Sequence, residues 1–197
     1  MSTQQSSPLR IVLASSEAVP FSKTGGLADV AGALTAALSG AGHDVTLIVP
    51  DYTLLRQGKT GVPKVHDTGL QFTIDMNGRP MTGTVNWSLY PHTSAKVLLV
   101  QQPVYFDRGQ PYGDAAGAYG DNSERFCFFS RAVLEICRRM VLRPDILHCN
   151  DWQTGLIPAL LNSQYAKLAG FETTASVMTI HNMAYQGRFW HLDMPLT

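Results

Sequence analysis

Three short polar segments directly follow apolar segments in this sequence, and they contain most of the residues that could do chemistry. Residues 22–29 read SKTGGLAD, residues 148–153 read HCNDWQ, and residues 181–187 read HNMAYQG. Carboxylates, histidines, a lysine and paired glycines can bind phosphate, hold hydroxyl groups or transfer protons. Together the three segments indicate a site for a polar, phosphorylated ligand, without naming a reaction.

The first segment has the features of an anion site. Gly25 and Gly26 stand where a helix is predicted to begin, so a ligand could approach the backbone and its free N–H groups. Lys23 adds a flexible positive charge suited to phosphate, although a cation near a helix N-terminus is mildly unfavourable for folding. A glycine turn with a solvated lysine is the alternative interpretation. The segment does not match G-x-G-x-x-G, which weakens the case for nicotinamide chemistry.

The other two segments offer a carboxylate and a histidine. Asp151 could hold sugar hydroxyl groups, act as a base, or simply cap the next helix. His181 follows another predicted strand, and a lone histidine in that position is usually structural. His148 and Cys149 are adjacent and therefore point to opposite faces of their strand. With no second ligand pair at a suitable spacing, no metal site is expected.

The elements that must position these segments alternate between strand and helix. In chain order the sequence predicts strands at 11–14 and 45–50 around a helix at 27–38, then a helix at 122–140, a strand at 145–149, a helix at 155–166 and a strand at 176–180. Apolar strands without polar alternation are typical of parallel sheets buried on both faces. In such α/β sheets ligands bind at the carboxyl ends of the strands, so the three polar segments should converge.

The middle of the chain differs from this pattern. Residues 71–76 and 84–87 flank Asn77 and Gly78, a strong hairpin signal, and a further strand is predicted at 96–100. Residues 111–120 are rich in Gly, Ala and Tyr and form a loop long enough to act as a lid or binding loop. The predicted class is thus α/β, with a Rossmann-like, mostly parallel sheet, flanking helices and a hairpin insertion.

Composition narrows the function classes. The 197 residues include 15 Lys or Arg and 15 Asp or Glu, so the formal net charge of zero gives no general case for nucleic acid or an anionic membrane as partner. Basic side chains along the 122–140 segment and just beyond it are expected to form a solvated helix face: Arg125, Arg131, Arg138, Arg139 and Arg143. The polar start has no apolar h-region, so no signal peptide is expected, and no apolar run approaches the roughly 20 residues of a membrane span. The three cysteines are expected to be reduced packing residues, which favours a cytoplasmic location.

Four segments resemble the signature motifs of bacterial glycogen synthases and plant starch synthases. They are EAVPF at 17–21, KTGGLADV at 23–30, PDILHCNDW at 144–152 and TIHNMAYQG at 179–187. Their order and spacing fit that family from about residue 10 to the end of the chain. The combination is far more specific than any single motif.

The sequence departs from the family pattern beside Asp151. Cys149 and Asn150 stand where the family more often has Ala-His, and Gln153 stands where it often has His. These changes leave the implied role of Asp151 in place but alter its surroundings.

The resemblance implies a retaining glucosyltransferase that moves glucose from ADP-glucose to the non-reducing end of an α-1,4-glucan. The family fold is GT-B, in which two Rossmann-like domains face each other across a cleft. Residues 10–197 would be most of the N-terminal domain after a disordered leader at 1–9. A C-terminal domain of the same protein would supply most nucleotide contacts, and neither a metal nor a cofactor is implied. Since no helix follows the last predicted strand, the chain is expected to be a piece of a longer protein, inactive alone.

Carried over residue by residue, the resemblance also implies a site. Asp151 and His181 would be the catalytic residues lining the glucose position, with His181 acting through both its side chain and its backbone carbonyl. Lys23 would contact the donor phosphates. The implied substrate-binding residues are Lys23, Gly25, Gly26, Asp29, Tyr112 and Asn182.

Two other function classes stay open at this point. The chain could bind glucan or nucleotide without turnover. It could also belong to another GT-B enzyme, such as a sucrose-type synthase that uses UDP-glucose, because base discrimination lies mainly in the other domain of the family.

Overall fold

The computed structural model describes residues 7–57 and 59–197, and each predicted strand is present. In chain order the strands are β1 (Arg10–Ala14), β2 (Asp44–Pro50), β3 (His66–Met76), β4 (Arg79–Leu89), β5 (Lys96–Gln101), β6 (Gly113–Asp114), β7 (Gly117–Ala118), β8 (Ile146–Asn150) and β9 (Ala175–Thr179). Seven of them form one sheet in the order β3-β4-β5-β2-β1-β8-β9, while β6 and β7 form a separate short ribbon.

The helices pack around this sheet. They are α1 (Gly26–Gly40), α2 (Thr53–Arg56), α3 (Pro103–Phe106), α4 (Asn122–Arg139) and α5 (Leu156–Leu160), with 3₁₀ turns at Trp152–Thr154 and His191–Leu196 and a π-helical turn at Leu161–Tyr165. Within residues 7–57 and 59–197, none of the helices combines the length and the apolar character needed to cross a membrane.

The centre of the sheet is parallel, as the apolar pattern predicts. Strands β5, β2, β1, β8 and β9 run in the same direction, and only the β3–β4 hairpin at one edge is antiparallel. After β1 the chain builds outward through β2, and it later returns to the other side of β1 through β8. This reversal of strand order beside β1 creates the crevice in which ligands of such folds bind.

The central strands are buried on both faces. In β1, Leu13 packs on the side covered by α1, whereas Val12 packs on the side covered by α4, where Phe128 and Phe129 are wholly buried. Because both faces need apolar side chains, these strands show no polar alternation. The predicted α/β class is confirmed.

The hairpin turn also forms as predicted. Asn77 and Gly78 both have positive φ, at 54° and 79°. Two such residues in a two-residue loop match the right-handed twist of the strands they join. The turn therefore fixes the register of the hairpin insertion.

The predicted helix at 155–166 is divided into short pieces. A 3₁₀ turn precedes α5, and the π-helical turn follows it. Pro158 has no N–H and cannot donate to the carbonyl of Thr154, so α5 begins at Leu156 with the proline in its first turn.

The expectation that the last strand is buried is wrong. β9 forms next to β8 as predicted, but Val177 is 42% and Met178 39% exposed. Within the described part of the chain α5 contacts β9, but the side chains of this strand stay mostly exposed, unlike those of the central strands beneath α1 and α4. Its apolar side chains alone could not reveal this, since burial depends on what lies against them.

The predicted leader at 1–9 is only partly described, because residues 1–6 lie outside the described residues. Leu9 accepts a hydrogen bond from the backbone of Asp44, and its own N–H donates to the His43 side chain. The backbone is therefore tied to the sheet one residue before β1 begins.

Candidate active site

A cavity of about 760 Å³ lies at the carboxyl ends of β1, β8 and β9, and it brings together six of the eight predicted site residues. These six are Gly25, Gly26, Tyr112, Asp151, His181 and Asn182. Side chains that the site prediction did not include also line it, among them Glu17, Asn122 and Trp152. The convergence follows from the parallel sheet, which brings the residues after successive strands to one edge.

The glycine pair marks the N-terminus of α1 at this cavity. Gly25 precedes the helix with an ordinary extended φ of −147°, and no side chain caps the first turn. A Cβ atom added to Gly25 or Gly26 would meet nothing within 4 Å. Neither backbone conformation nor packing therefore requires glycine at these two positions. Space for a ligand against the backbone N–H groups is the remaining physical reason.

Lys23 and Asp29 lie beside the cavity and do not line it. The Lys23 Nζ atom is 2.7 Å from Asp29 Oδ1, and both side chains are about half exposed. Lys23 therefore has a structural partner, an acidic residue in the first turn of α1, which the sequence prediction did not anticipate. An exposed ion pair contributes only about 0–1 kcal/mol, so Lys23 can leave it at little cost.

Asp151 sits at the end of β8 in an unusual backbone conformation. Its φ of 58° and ψ of 180° belong to a region that is almost restricted to glycine, at a cost on the order of 1–3 kcal/mol. Its side chain makes no capping hydrogen bond to the following turn. Instead, Asp151 Oδ1 accepts a 2.7 Å hydrogen bond from the backbone N–H of His181. The helix-cap alternative is therefore wrong.

His181 is held at two points. Besides the backbone bond to Asp151, its Nε2 atom lies 3.0 Å from Asn150 Oδ1. The histidine before it in sequence, His148, instead pairs with Thr179 Oγ1 at 2.7 Å. Burial lowers the pKa of His148, and the proximity of the His181 ring adds to this effect. His148 is thus a structural group outside the cavity lining.

The predicted binding loop at 111–120 enters the cavity through Tyr112. The Tyr112 hydroxyl is 2.7 Å from the Oγ atom of Ser16, which lies two residues after the end of β1. Its carbonyl accepts a 2.8 Å hydrogen bond from Asn122 Nδ2 at the start of α4. Burial, followed by the neighbouring Tyr52 and Glu17, holds the pKa of Tyr112 well above its usual value. Tyr112 therefore lines the cavity in a fixed position, with a neutral hydroxyl group that can form hydrogen bonds.

With this geometry in place, comparison with known proteins identifies the family. A family model described as the starch synthase catalytic domain matches residues 10–197. The chain belongs to this starch synthase family. The resemblance seen in the sequence motifs is thereby confirmed.

Individual relatives agree with the family match. A glycogen synthase of Geotalea uraniireducens is 43% identical over 184 residues, which cover 92% of this chain and 36% of the relative. Glycogen synthase 2 of Geobacter sulfurreducens is 42% identical over 181 residues, with the same coverage of 92% and 36%. The chain thus spans 36% of the length of these relatives.

A solved structure shows the same fold. The catalytic domain of starch synthase IV from Arabidopsis thaliana, bound to ADP and acarbose, superposes with a TM-score of 0.81 at 32% identity. The match covers 92% of this chain and 35% of that chain. This chain therefore has the same fold as the matching part of that starch synthase catalytic domain.

In this member of the starch synthase family, two buried charged residues support the site although neither is among the predicted site residues. Glu17, 3% exposed, accepts hydrogen bonds from both the backbone N–H and the hydroxyl of Thr24, and so ties the Lys23–Gly26 segment to the end of β1. The signal that could have found it is an acidic residue at the carboxyl end of a buried strand.

Arg125 is the second buried charged residue, and the prediction that it lies on a solvated helix face is wrong. The side chain is fully buried in α4, and burial lowers the pKa of its guanidinium. It donates to the carbonyls of Tyr105 and Pro111 at 2.7 and 2.8 Å and to Asn122 Oδ1 at 2.6 Å. Through the bond to Pro111, Arg125 fixes the backbone directly before Tyr112.

Proposed function

We propose that this chain is the N-terminal catalytic part of a glycogen or starch synthase, which transfers glucose from ADP-glucose to the non-reducing end of an α-1,4-glucan with retention of configuration. The observation that carries this proposal is the glycine pair at the uncapped N-terminus of α1. Gly25 and Gly26 have no role in packing or backbone conformation, yet they face a cavity that also contains a carboxylate and a histidine.

The relatives support the choice of substrate. The matching plant structure is described as bound to ADP and acarbose, a nucleotide and an oligosaccharide analogue. A diphosphate needs N–H donors and positive charge, which α1 and Lys23 can supply. We therefore assign Lys23, Gly25 and Gly26 to the donor phosphates, with Asp29 holding Lys23 in the absence of ligand.

The glucose unit would lie against the other side of the cavity. We assign Asp151 and His181 to this position as catalytic residues, and Tyr112 and Asn182 as contacts to the sugars. As the bond between the anomeric carbon and the phosphate oxygen breaks, positive charge develops on the sugar, and the Asp151 carboxylate stabilises it. The leaving phosphate accepts the proton of the acceptor hydroxyl, and the new glycosidic bond forms on the same face.

The same proposal covers the domain organisation, the location and the partners of the protein. Residues 10–197 would form the first of two Rossmann-like GT-B domains, and the second domain would supply most nucleotide contacts. The coverage of 36% of the relatives supports this division. A cytoplasmic location is supported by the three cysteines, all free and buried. Neither nucleic acid nor a membrane is proposed as a partner.

The test is a transfer assay on the full-length protein with labelled ADP-glucose or UDP-glucose and glycogen as acceptor. We expect incorporation from ADP-glucose and digestion of the product by an α-1,4-specific glucanase. Preference for UDP-glucose would refute the proposed donor. ADP and glucan binding with no transfer from either donor would instead indicate a binding module.

A further inference from the structure

Asn150, the last residue of β8, contacts His181 in a way that depends on which end of its amide is nitrogen. The side chain is 1% exposed. One end of the amide faces the carbonyl oxygen of Ala14 in β1 at 3.1 Å, with the carbonyl of His148 at 3.5 Å. Only an amide nitrogen can donate to a carbonyl, so this end must be Nδ2. The other end, facing His181, must then be Oδ1.

This orientation determines the protonation of the histidine ring. An amide oxygen has no hydrogen to donate, so His181 Nε2, at 3.0 Å, must be the donor. In a neutral imidazole with a proton on Nε2, the Nδ1 atom is an acceptor. Among the described residues, none forms a hydrogen bond with His181 Nδ1. The backbone bond from His181 to Asp151 Oδ1 fixes the base of the same side chain.

We propose that Asn150 is a positioning residue that holds His181 in the Nε2–H tautomer and leaves Nδ1 as the acceptor for a hydroxyl group of the ligand in the cavity. The tautomer follows from the contacts alone, whereas the ligand hydroxyl rests on the proposed function. The role also explains why a polar side chain is buried at this strand end. Without it, the carbonyl of Ala14 would lose a hydrogen-bond donor.

The first test measures the tautomer in the full-length protein with 15N-labelled histidine, assigned with the His181→Gln variant. Spectra recorded at about pH 9, above the usual range of histidine ionisation, report which ring nitrogen carries the proton. We expect Nε2–H in the wild type and in Asn150→Asp, which keeps an acceptor at this position. Asn150→Leu, which removes the acceptor at similar volume, should show a mixture. A wild-type Nδ1–H signal, or an unchanged Nε2–H signal in Asn150→Leu, would overturn the proposal.

The second test measures kcat and KM for ADP-glucose in the same variants. Asn150→Leu should lower kcat/KM by roughly tenfold, as for one lost hydrogen bond. Asn150→Asp keeps the acceptor for His181 but loses the donor to the Ala14 carbonyl, so it should lower kcat/KM by less than Asn150→Leu does. Equal loss in both variants, with the tautomer intact in Asn150→Asp, would mean that the tautomer does not control activity, and the proposal would fall. A wild type with the Nε2–H tautomer but no glucosyl transfer would refute the proposed function and leave the tautomer assignment standing.

Discussion

Replacement of Gly26 by alanine separates a ligand-binding role from a structural one. A Cβ atom at Gly26 meets nothing within 4 Å, and the residue begins α1. Because alanine restricts the unfolded chain and favours helix, Gly26→Ala should raise the free energy of unfolding by about 0.4–1 kcal/mol. A ligand phosphate seated on the first backbone N–H groups would meet the new methyl group. Loss of one charged hydrogen bond costs about 1.5–3 kcal/mol, or roughly 10- to 150-fold in Kd.

Gly40→Ala is the matched control. Gly40 ends the same helix, and a Cβ atom there also meets nothing within 4 Å. Thermal unfolding and calorimetric titration with ADP, both on the full-length protein, measure the two effects. We expect Gly26→Ala to be at least as stable as the wild type but weaker in ADP binding, and Gly40→Ala to bind ADP normally. Wild-type ADP affinity in Gly26→Ala would refute the reasoning that the glycine makes room for the ligand.

Three further predictions test other contacts. Asp151→Asn keeps an acceptor for the His181 N–H but removes the negative charge. We expect kcat to fall by about 30-fold, equivalent to about 2 kcal/mol, while the melting temperature stays close to that of the wild type. A raised KM at constant kcat would contradict the assignment of Asp151 as a catalytic residue. Lys23→Gln should weaken ADP binding by about tenfold or more in calorimetry, whereas Asp29→Asn, which frees the lysine, should not weaken it; equal losses in both would show that the ion pair only shapes the loop. Burial would raise the pKa of Glu135, but hydrogen bonds from two arginines and a tyrosine outweigh it and lower this pKa to about 2. The ionised Glu135 therefore stabilises the folded state above its unfolded pKa, and this contribution is lost as the pH falls from about 4.5 through 2. Glu135→Gln should flatten that part of the curve of unfolding free energy against pH, and an unchanged slope would show that the contacts contribute nothing.

The strands and the meeting point of the site could be predicted because both follow from local patterns. Residues such as Leu13 and Val12 must be apolar together when both faces of a strand are covered, and strand ends of a parallel sheet must share an edge. Asn77 and Gly78 specify their turn through positive φ alone. These features need no knowledge of distant residues.

The features that escaped prediction depend on contacts that the sequence does not show. The burial of Arg125 could not be predicted because its partners, the carbonyls of Tyr105 and Pro111, belong to backbone 20 and 14 residues away. Backbone acceptors leave no signal in side-chain composition. The position of Asp151 at a strand end could be predicted from the sequence. Its hydrogen bond to His181 depends on a positive φ, which the residue type does not indicate.

The exposed strand β9 has a practical consequence for the isolated 197-residue chain. It lies at one edge of the sheet, and in the described part of the chain its outer backbone N–H and C=O groups meet no further strand. An edge that also exposes Val177 and Met178 is a template for pairing with the same edge of another molecule. At high concentration this chain is therefore prone to aggregation through β9, and a single lysine, as in Val177→Lys, would supply the charge with which natural edge strands prevent it.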